Sequence, residues 1–161
     1  GIACIKKKLA LEKTALVHML LSVTLADAFI ACWDEKYRSN RVRPETVIQK
    51  LIDPRWHPML QTPPFPEYVS GHSVASNAAA VMLTTLFGDG FQYTDNTEVE
   101  FGLPERKFSS FYQAASEAAI SRLYGGIHYM DAIDAGKIQG KQVGNHAVNL
   151  MSTHISKLQL K

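Results

Sequence analysis

Three separated stretches of the sequence carry side chains that together could hold a small oxyanion. They supply two cations, then the start of a predicted helix, then an arginine and a histidine: Lys36 and Arg43, Ser70, Gly71 and His72, and Arg122 and His128. Arginine offers a planar fork of donors, and lysine offers a compact positive charge. The free N–H groups at a helix start favour an anion, and glycine lets the backbone approach it closely. The pattern therefore predicts a phosphate- or vanadate-sized anion pocket.

The composition is that of one ordinary globular domain. Of the 161 residues, 46% are hydrophobic and 20% are charged, which is enough to bury a core without metal or disulfide support. The 17 basic and 15 acidic side chains nearly cancel, so we expect no nucleic-acid partner and an anion held by local geometry. Cys4 and Cys32 are too few for a disulfide framework, and we interpret both as buried apolar residues.

Helical periodicity predicts an all-α fold, with all of 1–161 forming a single helical domain. Strand signals are nearly absent. A capping box at Ser110 and Gln113 marks one helix start, and Gly88 marks a helix end. The predicted helices are about 6–38, 44–52, 70–87, 110–124 and 129–159.

Two further patterns bear on how the anion residues are positioned. The segment 53–69 contains five prolines, which predicts a stiff loop leading into Ser70. Gly136, Gly140 and Gly144 recur every four residues in the last predicted helix. Because each glycine costs about 1 kcal/mol of helix propensity against alanine, three in register predict a face where another helix packs closely.

The stretch 14–33 is long and apolar enough to be mistaken for a membrane span. It contains Asp27, and an aspartate at the centre of a span costs about 2.5–3.5 kcal/mol on insertion scales. No other segment of the chain would partner it in a membrane. We therefore expect a core helix wrapped by its neighbours and no membrane span.

The order of the three stretches resembles the superfamily of vanadium-dependent haloperoxidases, type 2 phosphatidic acid phosphatases and bacterial acid phosphatases. The matching pattern is Lys36, six residues and Arg43–Pro44; then Ser-Gly-His; then Ser121–Arg122, five residues and His128. The runs "ADAFIACWDEKY" and "TPPFPEYVSGH" look most like the haloperoxidase branch. The resemblance implies a helical bundle, a periplasmic or secreted location, and a chain that is the C-terminal part of a longer protein.

The resemblance also implies roles for the motif residues. In a haloperoxidase, His128 would hold vanadate, His72 would move protons, and peroxide and halide would be the substrates. In an acid phosphatase, His128 would attack a phosphate ester to give a phosphohistidine. In either case the anion would be bound by five residues: Lys36, Arg43, Ser70, Gly71 and Arg122. A non-catalytic anion-binding helical module and a homo-oligomer also remain open.

The match departs from the family at one position. The family usually places an aspartate four residues after the third-motif histidine, whereas here position 132 is alanine and Asp131 comes one residue early. We consider Asp131 a candidate partner of His128, the alternative being a solvated charge at a helix start. Asp27, buried by pattern, is a second candidate supporter unless it bonds elsewhere. Phe65 is a candidate apolar wall beside His72, with core packing as the alternative.

Overall fold

A computed structural model describes residues 1–158 and confirms the all-α fold. The helices are α1 (Ile2–Lys6), α2 (Leu11–Ser39), α3 (Pro44–Leu51), α4 (Gly71–Phe87), α5 (Phe111–Tyr124), α6 (Met130–Leu150) and α7 (Ser152–Leu158). A single 3-10 turn at Val99–Phe101 lies within the connection from α4 to α5. Helix α4 is central, because α2, α5 and α6 all pack against it.

The three glycines of α6 face α4, which confirms the predicted close packing. A Cβ atom at Gly136 would lie 2.8 Å from the Ser70 carbonyl oxygen, and one at Gly144 would lie 2.8 Å from Val81 Cβ. At Gly140 it would overlap the Val74 carbonyl oxygen. The backbones of the two helices are thus close enough that no side chain fits between them at these positions.

Two predicted helices are each interrupted. The predicted helix 6–38 is broken between α1 and α2, where Lys8 has a φ of 52°, a left-handed conformation that a helix cannot contain. The predicted helix 129–159 ends at Leu150, because the backbone angles of Met151 are not helical. Helix α7 follows. Position 159 lies outside the described residues. The other predicted boundaries are accurate within one or two residues, and Gly88 ends α4 with a φ of 94°.

A small β-hairpin was not expected from the sequence. Strand β1 (Tyr93–Asp95) pairs antiparallel with β2 (Arg106–Phe108), with Tyr93 opposite Phe108. Three residues are too few for the alternating pattern that identifies a strand in a sequence. Aromatic packing holds the hairpin to the helices, since the Phe91 ring stacks on Phe111 at 5.2 Å and Tyr93 lies 5.4 Å from the same ring.

Helix α2 packs on one face only, which differs from the expectation of a helix wrapped on all sides. Its buried residues recur at helical spacing: Val17, Leu20, Thr24, Ala28, Cys32 and Lys36. The opposite face is apolar and exposed at Met19, Val23, Ile30 and Tyr37. In the described part of the chain, one region, Leu11–Leu51, which includes α2 and α3, contains an apolar segment whose length and composition would suffice to cross a membrane.

Candidate active site

Lys36 reaches from α2 into the loop that precedes α4. Its side chain is fully buried, and its ammonium donates to the carbonyl oxygens of Pro66 at 3.0 Å, Glu67 at 3.0 Å and Val69 at 2.5 Å. An ammonium has three protons, so these three bonds use all of them. Lys36 therefore fixes the loop just before Ser70, and a direct bond to an anion would require it to exchange one carbonyl.

Arg43 ties the same loop to the segment that carries His128. Its guanidinium donates to the carbonyl oxygens of Phe65 at 3.1 Å, Pro66 at 3.3 Å and Ile127 at 2.8 Å. One of its terminal nitrogens also lies 3.1 Å from His128 Nε2. Arg43 is only 5% exposed, so this charge is held within the protein by carbonyls and an imidazole.

His128 is buried between Arg43 and a carboxylate. Its Nδ1 lies 2.7 Å from Glu67 Oε1, and the same oxygen accepts the backbone N–H of Tyr129 at 3.0 Å. Glu67 is fully buried, and its other oxygen lies 3.4 Å from Arg41 Nε. The imidazole therefore contacts polar partners on both ring nitrogens.

The two motif histidines line one cavity of about 500 Å³, together with Arg122 and Gly71. The rest of its wall is mostly apolar: Phe29, Trp33, Leu60, Gln61, Pro63, Phe65, Ala75, Ser76 and Ile127. Thus residues from the second and third motifs meet at one place, while Lys36 and Arg43 of the first motif tie down the loop that bears Phe65.

Ser70 caps α4 and is fully buried, directly before Gly71, which lines the cavity. Its hydroxyl accepts the N–H of Ser73 at 3.5 Å, and its own N–H donates to the Ala132 carbonyl at 3.0 Å. At Gly71, a Cβ would lie 3.5 Å from the Trp33 ring, an ordinary contact distance. The half-buried Arg122 side chain donates from Nε to Ser121 Oγ at 3.0 Å.

Burial lowers the pKa values of three basic groups at the site. It lowers the pKa of Lys36 to about 8, with the nearby Arg43 adding to the effect against the opposing pull of Cys32 and Glu67. Partial burial, and then the charges of Arg122 and His128, lower the pKa of His72. Burial also lowers the pKa of His128, outweighing the hydrogen bond to Glu67. Both imidazoles are therefore largely neutral at pH 7.

Asp131 does not contact His128, contrary to the expectation from the sequence. Its carboxylate forms a two-bond pair with Arg41, at 2.6 and 2.9 Å, and its side chain is 63% exposed. The planar guanidinium matches both carboxylate oxygens at once, which holds Asp131 away from the imidazole. Glu67 occupies the position beside His128 Nδ1 instead.

The other two supporting candidates have different outcomes. Asp27 is half-buried rather than buried, and within residues 1–158 Lys36 bonds to carbonyls and not to Asp27. Phe65 lines the same cavity as His72, with its ring centre 5.1 Å from that of Trp33. The buried ammonium of Lys36 lies 5.4 Å from the Phe65 ring centre.

Sequence reasoning missed Glu67 and Arg41. Glu67 is the one acidic residue between Pro63 and Ser73, and it lies three residues before Ser70 in a stiff, proline-rich segment. That placement was the available signal for Glu67, because a carboxylate in a stiff segment next to Ser70 must lie close to the start of α4. Within residues 1–158, no three His, Cys, Asp or Glu side chains gather as a site for a metal cation.

Comparisons with known proteins place the chain among helical-bundle relatives. A family model described as the VCPO second helical-bundle domain matches residues 16–55 and 49–157. A search of curated proteins gave no match. A solved bacterial vanadium-dependent iodoperoxidase is 60% identical with a TM-score of 0.90, over 92% of this chain and 36% of that one. The chain thus spans about a third of that relative's length.

Two more distant structures share the fold. An apo-type bacterial vanadium-dependent chloroperoxidase is 22% identical with a TM-score of 0.76, over 87% of this chain and 37% of that one. A holo-type bacterial vanadium-dependent chloroperoxidase is 21% identical with a TM-score of 0.60, over 91% of this chain and 45% of that one. At such identities the likeness concerns the helical architecture alone.

Proposed function

The chain belongs to the vanadium haloperoxidase superfamily, and we propose that it carries the vanadate site of an enzyme that oxidises iodide with hydrogen peroxide. The observation that carries this proposal is the single cavity of about 500 Å³ lined by His72, Arg122 and His128, with the Arg43 guanidinium on His128. The 60% identity with an iodoperoxidase supports iodide as the halide.

The donor set at the cavity fits vanadate. Arg122 supplies donors in the wall, and the buried cations Lys36 and Arg43 add positive charge behind it. The buried carboxylate, Glu67, contacts Nδ1 of His128, so Nε2 is the ring nitrogen beside Arg43. A pocket with concentrated positive charge and two imidazoles in its wall suits a small oxyanion better than a metal cation.

Bound vanadate would supply the chemistry of activating peroxide as a two-electron oxidant. The chain's residues would hold and protect it: His128 through Nε2, and Arg43, Arg122 and Lys36 through positive charge. The Ser70 hydroxyl and the start of α4 would add donors at the N-terminus of a 17-residue helix.

His72 would handle the protons of the reaction. Its lowered pKa leaves an imidazole nitrogen free at neutral pH to take a proton from incoming peroxide and to return it to the departing oxygen. Overall, iodide gives up two electrons and gains one peroxide oxygen as hypoiodous acid. The other oxygen leaves as water, with one proton taken from solvent.

The apolar wall beside the histidines would suit a large, weakly hydrated halide. Phe29 stacks on Trp33 with ring centres 3.7 Å apart, and Phe65 continues this aromatic surface. Such a wall limits bulk water in the cavity, which strengthens the interactions of the charged groups there.

Activity of the chain loaded with orthovanadate tests this proposal. We expect triiodide to form from iodide and peroxide, measured by absorbance, and this activity to disappear in His128→Ala but persist in His146→Ala, an exposed histidine. If the chain instead hydrolyses a phosphate ester and vanadate inhibits that reaction, it is a phosphatase using the same histidines. If neither activity appears while vanadate still binds, the chain is an anion-binding module.

A further inference from the structure

Glu67 is a buried carboxylate to which neither the sequence motifs nor the family pattern assigns a role. It is fully buried, and its Oε1 accepts both from His128 and from the Tyr129 backbone N–H, at 2.7 and 3.0 Å. A carboxylate at this depth persists only where charge and hydrogen bonds compensate its lost hydration. Its placement on the imidazole is therefore a specific feature of the site.

The contacts on the two sides of His128 select one tautomer. A carboxylate such as Glu67 accepts hydrogen bonds but has none to give, so Nδ1 of His128 must carry the proton in that contact. A guanidinium donates but never accepts, so Nε2, 3.1 Å from Arg43, must present its lone pair. Both neighbours require the same form, with the lone pair on Nε2.

Glu67 is itself held in place by two cations. Lys36 bonds to the Glu67 carbonyl and to the carbonyls of Pro66 and Val69, so the backbone is fixed on either side of it. The Glu67 N–H donates to the Arg41 carbonyl at 2.9 Å, and Arg41 Nε lies 3.4 Å from Oε2.

Arg41 is fixed in turn by its own neighbours. It forms a two-bond pair with Asp131, and its guanidinium lies 4.6 Å from the Tyr129 ring centre. The aspartate found one residue early in the third motif therefore acts at the outer end of this chain of contacts.

We propose that Glu67 is the positioning residue of the site: it fixes the His128 imidazole with its proton on Nδ1 and increases the basicity of Nε2 toward vanadate. Position 132, where the family carries its aspartate, is an alanine with no polar side chain. A carboxylate from the loop thus replaces a carboxylate from the helix. This inference deepens the proposed function, because it names what prepares the vanadate ligand.

The ring proton of His128 in the metal-free protein gives the most direct test. Imidazole ¹⁵N and ¹H NMR, assigned with His128→Ala, should show a proton on Nδ1, shifted downfield by its bond to a carboxylate, and no proton on Nε2. In Glu67→Gln the downfield shift should be lost, because a neutral acceptor bonds less strongly. A proton on Nε2 in the wild type would overturn the proposal.

Two anions separate positioning from simple pocket damage. Vanadate accepts the imidazole lone pair, so calorimetry should show its affinity falling about 10- to 100-fold in Glu67→Gln, as for other partners of ligating histidines. Sulfate cannot bond to the lone pair, and loss of a nearby negative charge should leave its affinity unchanged or higher. Equal losses for both anions would show that the variant merely disrupts the pocket.

Asp131→Asn is the matched control, because it makes the same carboxylate-to-amide change one contact further out. We expect its vanadate affinity to stay within about threefold of wild type, since the carboxylate it neutralises is largely exposed. If Asp131→Asn weakened vanadate as much as Glu67→Gln did, Asp131 and not Glu67 would position His128. The NMR and sulfate results require no peroxidase activity, so they stand or fall separately from the proposed reaction.

Discussion

The two ends of α4 are held in different ways. At its start, buried polar side chains direct hydrogen bonds to particular carbonyls, as Lys36 and Arg43 do around Phe65–Val69. At its end, Phe87 packs into an aromatic group with Phe91 and Phe111, at ring distances of 5.5 and 6.1 Å. One helix therefore joins a hydrogen-bonded end to an apolar end.

The difference shows how positional accuracy and stability are divided in this fold. A buried hydrogen bond adds only about 0.5–1.5 kcal/mol net, but it fixes a donor and an acceptor to a narrow range of distance and angle. Apolar burial adds about 25 cal/mol per Å² and imposes no direction. We therefore expect substitutions at the start of α4 to change anion binding most, and substitutions at its end to change stability alone.

Replacing Arg43 should have the largest effect. Arg43→Met leaves the Phe65, Pro66 and Ile127 carbonyls without their donor, and we expect a loss of about 3–5 kcal/mol in the free energy of unfolding. Sulfate binding should fall below detection in the same calorimetry. Arg38→Met, at a side chain 70% exposed, should change neither by more than about 1 kcal/mol. An Arg43→Met protein that kept the sulfate affinity of the wild type would contradict the comparison.

Truncating a side chain at the apolar end should destabilise the protein without weakening anion binding at its site. Leu86 is 2% exposed and 15 residues, about 22 Å, along α4 from Gly71. We expect Leu86→Ala to cost about 2–5 kcal/mol in chemical denaturation, with sulfate affinity within about twofold of wild type. Leu51→Ala, at a side chain 73% exposed, is the control and should cost little. Weaker sulfate binding in Leu86→Ala would mean that the two ends are coupled.

Two glycine substitutions sharpen the comparison within the helix pair. Gly140→Ala forces a methyl group onto the Val74 carbonyl and should destabilise by about 1–3 kcal/mol despite alanine's better helix propensity. At Gly71 the added methyl group makes only ordinary contact with Trp33, so Gly71→Ala should change the unfolding free energy by less than about 1 kcal/mol. Equal destabilisation in thermal unfolding would contradict this difference.

The pH dependence of sulfate binding should give the smallest effect. Because burial lowers the pKa of Lys36 to about 8, its positive charge is lost as pH rises through 8, well below the usual range for lysine. Sulfate keeps its charge over this range, so its affinity should fall above pH 8 by at most about tenfold per unit. Constant affinity up to pH 9.5 would show that Lys36 contributes no charge to the anion.

The titration of Lys36 should also make the folded protein more stable as pH rises above about 8. Between about pH 8 and 10.4 the unfolded chain keeps the Lys36 proton that the folded chain has released, so the unfolding free energy rises with pH. Lys36→Met should lack this rise, which a comparison of denaturation curves at pH 7.5 and 9.5 would show.

Most of the helices could be predicted from the sequence, because periodicity and caps mark them, whereas the meeting of the motifs was expected from the resemblance to the haloperoxidase and phosphatase superfamily. Apolar periodicity predicted α4, and the Ser110–Gln113 capping box predicted α5, each nearly to the residue, and Ser70 and Ser110 do cap these helices with their hydroxyls. The hairpin could not be predicted, because its three-residue strands are too short to show alternation and its Tyr93 packs on Phe111 of another element. The break at Lys8 depends on one left-handed backbone conformation, and a lysine in the sequence gives no sign of that conformation.

The supporting residues of the site were harder to predict because they act through the fold and not through spacing. His128 and Glu67 are 61 residues apart, and nothing local links them. Asp131 was the reasonable candidate by position, yet Arg41, 90 residues away, holds it. Contacts between residues far apart in the sequence decide which carboxylate lies beside the imidazole. The third motif includes Asp131 but neither Glu67 nor Arg41.

Gly136 affects the shape of the cavity because it lets α6 pack closely against the start of α4. Because a methyl group there would lie 2.8 Å from both the Ser70 carbonyl oxygen and Ser73 Cβ, this position sets the gap between α6 and the first turn of α4, which bears His72. A larger residue would move His72 away from His128 while leaving every charged group intact. We therefore expect Gly136→Ala to change the shape of the cavity, although Gly136 is not one of the residues that line it.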